Sequence, residues 1–272
     1  MYSFASILAF ITILLRLSSA ETDNPVVDGF YPFILVYKND TVQRILNITL
    51  VPPSLEDPVT GVSSKDINIS TELLARIYLP KLKAANQKLP IFIWFHGGGF
   101  FMGSAFADTQ QAFLNIMASR AGAIAISVDY RLVPEHHLPT AYEDAWTALQ
   151  WVTAHKTRSS CGEPWLLQYG DFDRIFIGGD SAGANIVHNT LMRAGLERPK
   201  GGSIKILGGI QTHPYFWGSN ETYSIDWFQR FANFVWRFAY PTAPGGIDNP
   251  MVNPFTENAP SLTLLGSSKL FV

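Results

Sequence analysis

Residues 177–183 read Ile-Gly-Gly-Asp-Ser-Ala-Gly, and residues 95–100 read Phe-His-Gly-Gly-Gly-Phe. Ser181 stands between Gly179 and Gly183, directly after an apolar run that begins at Ile175. This Gly-x-Ser-x-Gly spacing suits a strand that reverses sharply into a helix. Such a turn strains the backbone at the serine and leaves no room for side chains two residues to either side. The hydroxyl is then exposed at a helix N-terminus, where free backbone N–H groups favour developing negative charge. That is the setting of a nucleophile for acyl transfer. The second motif supplies the complement. Gly97, Gly98 and Gly99 allow the main chain to approach a substrate closely and to turn N–H groups toward it. A tetrahedral oxyanion needs two or three such donors, and losing one costs about a hundred- to a thousandfold in rate. His96 precedes Ser181 by 85 residues, and both motifs follow buried-strand patterns.

The remaining chemical groups point to less. His136 and His137 are adjacent, which suits no common metal spacing. Cys161, the single cysteine, excludes an intrachain disulfide and a cysteine-rich zinc site, and no basic neighbour activates it. Asp180 reads as a brace for the serine turn.

Past residue 30 the chain alternates strand-like and helix-like stretches, the pattern of a mostly parallel sheet covered on both faces. "FILVY" and "VQRIL" form a hairpin pattern. "PIFIWFH", "AIAISVDY", "RIFIGG" and "IKILGGIQTHP" read as strands. "ADTQQAFLNIMASRAG" has helical spacing at Phe113, Ile116 and Met117, with Asp108 and Gln111 as a capping pair. "LPTAYEDAWTALQWV" puts Ala141, Ala145, Ala148, Leu149 and Val152 on one helical face. Around residues 215–245 aromatic residues break the alternation, with Trp227, Phe231, Phe234 and Phe238 at helical spacing. That stripe is either ordinary core or a cap helix roofing an apolar pocket, in which case Trp227 and Phe231 line it.

Hydrophobic residues make up 47% of the 272 and charged residues 15%, enough apolar material for a sizeable core. The formal net charge is −2 with no basic run, which argues against nucleic acid as a partner. "FASILAFITILL" (4–15) is shorter than the roughly 20 apolar residues of a stable membrane span. Together with Ser18 and Ala20 it reads as a signal peptide over residues 1–20, leaving 21–272 as the mature, secreted domain. Arg16 after the run, and no basic residue before it, leave an uncleaved anchor or a mis-assigned start open; without a signal peptide the location would be cytoplasmic. Asn-x-Ser/Thr triplets begin at Asn39, Asn47, Asn68 and Asn220, with Asn39 at the hairpin tip. Nothing in the sequence sets the oligomeric state.

"HGGGF" (96–100), "VDYRLVPEHHLPTAYEDAWTALQWV" (128–152), "GDFDRIFIGGDSAGANIVHN" (170–189), "THPYFWG" (212–218) and "DNPMVNP" (248–254) together resemble the plant carboxylesterase branch of the hormone-sensitive-lipase-like α/β-hydrolases. Gibberellin receptors and hydroxyisoflavanone dehydratases are relatives of that branch. The resemblance runs from about residue 30 to the end. It implies an α/β-hydrolase fold with a cap insertion near 215–245, and hydrolysis of small-molecule carboxylic esters without metal, nucleotide or other cofactor. Ser181 would be the nucleophile, Gly97, Gly98 and the N–H of Ala182 the oxyanion hole, with Gly99 shaping the loop. Asp129 and Asp144 match structural positions. In this fold the acid and then the base follow the serine in the chain, and after Ser181 only His188 and His213 remain. His188 lies about 10 Å up the helix at ~1.5 Å per residue, and His213 matches a structural "HP". The family's acid and base come after the strand that "SKLFV" begins, so the expectation is a C-terminally truncated chain without its last strand, helix and two triad residues, inactive as written. The alternatives are a receptor that binds without turnover and a dehydratase on the same scaffold.

Overall fold

The structure, a computed structural model, describes residues 24–157, 162–197, 206–219 and 226–272. The expected signal peptide, Cys161 and Asn220 lie outside these residues. Two compact units divide the chain at Asn47 and Ile48.

In the first unit β1 (Val26–Phe30), β2 (Ile34–Tyr37) and β3 (Val42–Arg44) form an antiparallel sheet in the order β1-β2-β3. The turn after β2 places Asp40 at φ 63° and exposes Asn39, whose Oδ1 accepts from Thr41 N at 3.1 Å.

The second unit carries a seven-stranded sheet made of β4 (Ser63–Asn68), β5 (Leu74–Leu79), β6 (Leu89–Phe95), β7 (Ile124–Asp129), β8 (Gly170–Asp180), β9 (Ile206–Thr212) and β10 (Leu270–Phe271). Its order is β10-β9-β8-β6-β7-β5-β4. The strands from β10 to β7 run parallel, and β5 and β4 continue antiparallel. The outermost strand, expected to be missing, is represented by the two residues of β10 beside β9.

Helices α1 (Asp108–Ala121), α2 (Thr140–Ala154), α3 (Pro164–Tyr169), α4 (Ala182–Leu196) and α5 (Asp226–Ala239) accompany the sheet. Side chains alternate across β6. Phe92 and Trp94 join Leu114 and Ala118 of α1 in one buried cluster, and Ile91, Ile93 and Phe95 are buried toward the opposite face. There α4 packs against β6, β8 and β9, with α2 behind it. In α2, Ala141, Ala145, Ala148, Leu149 and Val152 are all buried, as their spacing predicts.

The reading of α1 needs correction. Its N-cap is Ala107, without a side-chain cap, and Phe113 and Ile116 are 37% and 44% exposed. Gln111 turns inward instead. Its Oε1 accepts from buried Arg76 at 3.0 Å and from Tyr78 at 3.2 Å, and its Nε2 donates to Ser64 Oγ at 3.0 Å. A buried guanidinium must have its donors satisfied. The same inward face carries Leu114 and Ala118 into the core, and of the three residues named from spacing Met117 packs against it while Phe113 and Ile116 do not. Among the described residues no helix is long and apolar enough to cross a membrane.

Candidate active site

Three adjacent parallel strands end at one place. Phe95 of β6 pairs with Gly179 of β8, and Asp180 of β8 pairs with Thr212 of β9. The chain therefore leaves β6 as the glycine loop, β8 as Ser181, and β9 as His213-Pro214, side by side at the carboxyl edge of the sheet. Crevices at this edge are where open α/β sheets bind ligands.

At Ser181 the backbone takes φ 51° and ψ −114°, between β8 and the first residue of α4. Its N–H donates to Thr212 O at 2.9 Å, and its carbonyl accepts from Asn185 N and Tyr215 N, both at 3.0 Å. These bonds hold a backbone conformation that an L-residue rarely adopts. The flanking glycines are required by space. A Cβ on Gly183 would lie 2.0 Å from Phe95 O and 2.6 Å from His96 O, and one on Gly179 would lie 2.5 Å from the Gly183 carbonyl. The elbow helix thus rests directly on the end of β6.

The glycine loop is tied to the elbow through Asp180. Gly97 N donates to Asp180 Oδ1 at 2.8 Å. This corrects the expectation that Gly97 is an oxyanion donor: its N–H is already committed. Gly98 N, Gly99 N and Ala182 N make no hydrogen bond among the described residues. Ala182 N belongs to the first turn of α4, whose N–H groups have no partner within the helix. Gly98 sits at φ 113°, where a Cβ would meet Met102 O at 2.2 Å, and Gly99 at φ 61°. Burial raises the Asp180 carboxyl above its usual range, against the lowering effect of the Gly97 N–H. The aspartate therefore braces the turn, as its position suggested.

His96 is 1% exposed and stacks on Tyr130 at 4.3 Å between ring centroids. Burial holds its imidazole below the ordinary value, so it is neutral, with Nδ1–H donating to Gly97 O at 2.7 Å. Tyr130 OH in turn donates to His96 O at 2.8 Å. Asp129 accepts from Ser104 Oγ and Ala105 N, both at 2.8 Å, and Asp144 pairs with Arg131 at 2.7 Å. Both aspartates fix loops, as the resemblance implied.

A cleft of about 290 Å³ opens over Ser181 and Gly99. Its walls are His213, Tyr215, Phe216, Trp217, Phe228 and Phe231, with Ala232 and Val235 of α5 behind. Phe231 lines it as expected; Trp227 does not. Trp227 is 47% exposed and stacks at 5.2 Å on Phe231, away from the cleft. Sequence reasoning missed Phe216, Phe228 and Val235. Their aromatic and apolar character was visible, but their place beside Ser181 depends on β9 lying next to β8.

Ser181 Oγ makes no hydrogen bond among the described residues. His213, held at φ 47°, is exposed at the cleft. His188 is 5% exposed, packs edge-on against Phe216 at 5.0 Å, and faces a separate cavity with Met251 and Pro254. Among the described residues no group of three His, Cys, Asp or Glu could hold a metal ion.

Comparison with known proteins agrees with this geometry. A family model described as the alpha/beta hydrolase fold matches residues 92–271. Hydrolase 3 of Catharanthus roseus is 49% identical over 263 residues, spanning 93% of this chain and 81% of that protein. A 2-hydroxyisoflavanone dehydratase of Glycine max is 50% identical over 254 residues, 91% of this chain and 79% of that one. Among solved structures, an esterase of Pyrobaculum calidifontis superposes with a TM-score of 0.57 at 29% identity, covering 72% of this chain. This chain spans 63% of that esterase's length. From the family match and these plant relatives, the chain belongs to the α/β-hydrolase family, in the branch that holds plant carboxylesterases and 2-hydroxyisoflavanone dehydratases.

Proposed function

We propose that this chain is a serine carboxylesterase in which Ser181 attacks the carbonyl carbon of a small ester. The N–H groups of Gly98, Gly99 and Ala182 receive the oxyanion. The observation that carries the reading is the meeting of Ser181 and Gly99 at one aromatic-walled cleft, with the uncommitted amides of Gly98 and Ala182 next to them in the chain. Preorganised amides stabilise charge that develops only in the transition state, so they raise the rate of chemistry and not merely binding. Collapse of the tetrahedral species expels the alcohol and leaves an acyl-serine, which water then hydrolyses. The cleft's apolar walls suit an uncharged acyl or alcohol group.

Both acylation and deacylation need a general base. Ser181 Oγ has no imidazole bonded to it among the described residues, and the serine hydroxyl alone is a poor nucleophile at neutral pH. The 272 residues as given should therefore turn over esters slowly, by analogy with the roughly millionfold loss when a serine protease lacks its histidine. The test is hydrolysis of p-nitrophenyl acetate by the chain and by Ser181→Ala. Trace turnover that disappears in the variant supports the reading, and turnover indifferent to Ser181 sinks it. Fast turnover lost in both Ser181→Ala and His213→Ala would identify His213 as the base.

Identities of 47% and 50% to two proteins named 2-hydroxyisoflavanone dehydratase favour a second reading. Elimination of water beside a carbonyl also builds negative charge on the carbonyl oxygen, which the same amides would receive. A mass increase on the Ser181 peptide after ester treatment would separate acyl transfer from elimination.

We also infer entry to the secretory pathway, supported by the apolar leader and by exposed Asn39 at the β2–β3 turn. The protein from its own host should begin at Glu21 and lose mass on glycosidase treatment. A mature chain that retains Tyr2–Leu15 would refute this.

A further inference from the structure

At the opposite edge of the sheet from Ser181, around the amino ends of β6 and β8, lies a concave cleft of about 570 Å³. Thirteen residues line it, and five of them are cations: Lys81, Lys83, Lys88, Arg120 and Arg174. Lys and Arg together number 20 in 272 residues, so about one would be expected among thirteen. No Asp or Glu lines the cleft. The five come from the loop between β5 and β6, the last turn of α1 and β8, which is why the sequence shows no basic run.

Two of the cations are held in place. Arg174 Nε pairs with Asp171 at 2.7 Å and its Nη2 donates to Lys88 O at 3.0 Å; Lys88 Nζ donates to Gln168 O at 3.0 Å. The side chains of Lys81, Lys83 and Arg120 have no acidic partner among the described residues. The C-terminus of α1 adds a weak negative field, equivalent to about half a charge, which the cations outweigh. Pro80, Leu82, Leu89 and Pro90 give the cleft an apolar floor.

We infer that this cleft is a binding site for a small, multiply charged anion, a diphosphate or a comparable polyanionic metabolite, separate from the Ser181 cleft. Convergence of five cations in a concavity, with Lys81, Lys83 and Arg120 lacking an acidic partner among the described residues, raises the local concentration of anions, and a concave site suits a compact ligand more than a flat macromolecular surface does. The inference does not depend on the esterase reading.

Pyrophosphate is titrated into the full chain by calorimetry. Binding should be saturable with Kd on the order of 0.1–1 mM at about 20 mM salt and about tenfold weaker at about 200 mM. Orthophosphate should bind more weakly. Lys81→Gln and Arg120→Gln should each weaken binding about two- to fivefold, and the triple variant with Lys83→Gln at least about tenfold, with unchanged melting temperatures. The inference is overturned by no saturable binding up to about 10 mM, by a triple variant that binds as well as the parent, or by binding to anionic phospholipid vesicles without binding to pyrophosphate.

Discussion

Replacing Gly183 by Ala sets two well-calibrated effects against each other. Gly183 is the second residue of α4, and exchanging glycine for alanine within a helix normally stabilises by about 1 kcal/mol. Here the added methyl would sit 2.0 Å from Phe95 O and 2.6 Å from His96 O. Phe95 is the last residue of β6 and His96 follows it directly, and the strand is pinned between β7 and β8 and cannot yield alone. Relief requires α4 to move away from the sheet by about 1 Å, and a gap of that size forfeits a quarter to a half of each dispersion contact. The buried residues of α4 that would lose contact include Ile186, Val187 and Leu191. Overpacking of this kind costs about 1–3 kcal/mol and occasionally more, and a backbone neighbour puts this site at the upper end. The net expectation is a loss of about 2 kcal/mol or more, lowering Tm by roughly 4–8 °C for a domain of this size. Urea and thermal unfolding followed by circular dichroism measure it without any need for activity. A Gly183→Ala protein as stable as the parent, or more stable, would refute the claim that α4 rests on the β6 carbonyls. Gly179→Ala should act in the same direction, and the double variant should cost less than the sum because both methyls press on one contact.

Acid should weaken the fold through His188, whose burial lowers its pKa from 6.5 to about 4. Because the unfolded chain takes up that proton first, the stability it contributes is present above pH 6.5 and is lost as pH falls toward 4, by about 3 kcal/mol at most at ~1.36 kcal/mol per pH unit; urea midpoints of His188→Phe should show a shallower acid limb, and an unchanged limb would refute this. Asp180→Ala leaves the Gly97 N–H without its acceptor and should cost about 1–3 kcal/mol, whereas Asp180→Asn keeps an acceptor and sheds a buried charge, so its loss should be clearly smaller; equal losses would show that the Gly97 bond is not what Asp180 contributes. Phe231→Ala should shift the ratio of the Ser181-dependent trace rates on p-nitrophenyl butyrate and acetate, and Trp227→Ala, which stands away from the cleft, should leave it unchanged; the reverse result would misplace the cleft wall.

Much of this fold was legible because its signals are local. The buried strands announce themselves as apolar runs, α2 carries its inward face at helical spacing, and the elbow glycines surround Ser181 in seven consecutive residues. What the sequence hid depends on contacts between distant segments. The inward turn of Gln111 on α1 serves Arg76, 35 residues away, and no local pattern announces that contact. The choice of Phe231 over Trp227 as cleft wall depends on where α5 meets Phe101, against which Phe231, Phe234 and Phe238 pack edge-on at 6.5, 6.0 and 6.0 Å. Helical spacing put both residues on one stripe and could not rank them.

The donor set shows the same limit at the site itself. Read along the chain, the three glycines after His96 are equivalent, and nothing marks Gly97 as different. The distinction comes from Asp180, which is 83 residues away and accepts the Gly97 N–H. That single bond makes the glycine loop and the serine turn one body: Asp180 holds the loop from the front, while Gly183 lets α4 rest on the carbonyls of Phe95 and His96 behind it. The position of the free amides at Gly98 and Gly99 relative to Ser181 is then set by this tie to β8 together with the loop's own turn, in which Phe101 N and Met102 N donate to Gly98 O at 3.1 and 2.9 Å. A loop of three glycines has more conformational freedom than any other tripeptide, and alone it could not hold donors within the few tenths of an ångström that an oxyanion requires. One residue that constrains the glycine loop therefore lies in the serine motif, and on the proposed reading a variant that loosens Asp180 should blur the donor geometry even when every glycine is intact.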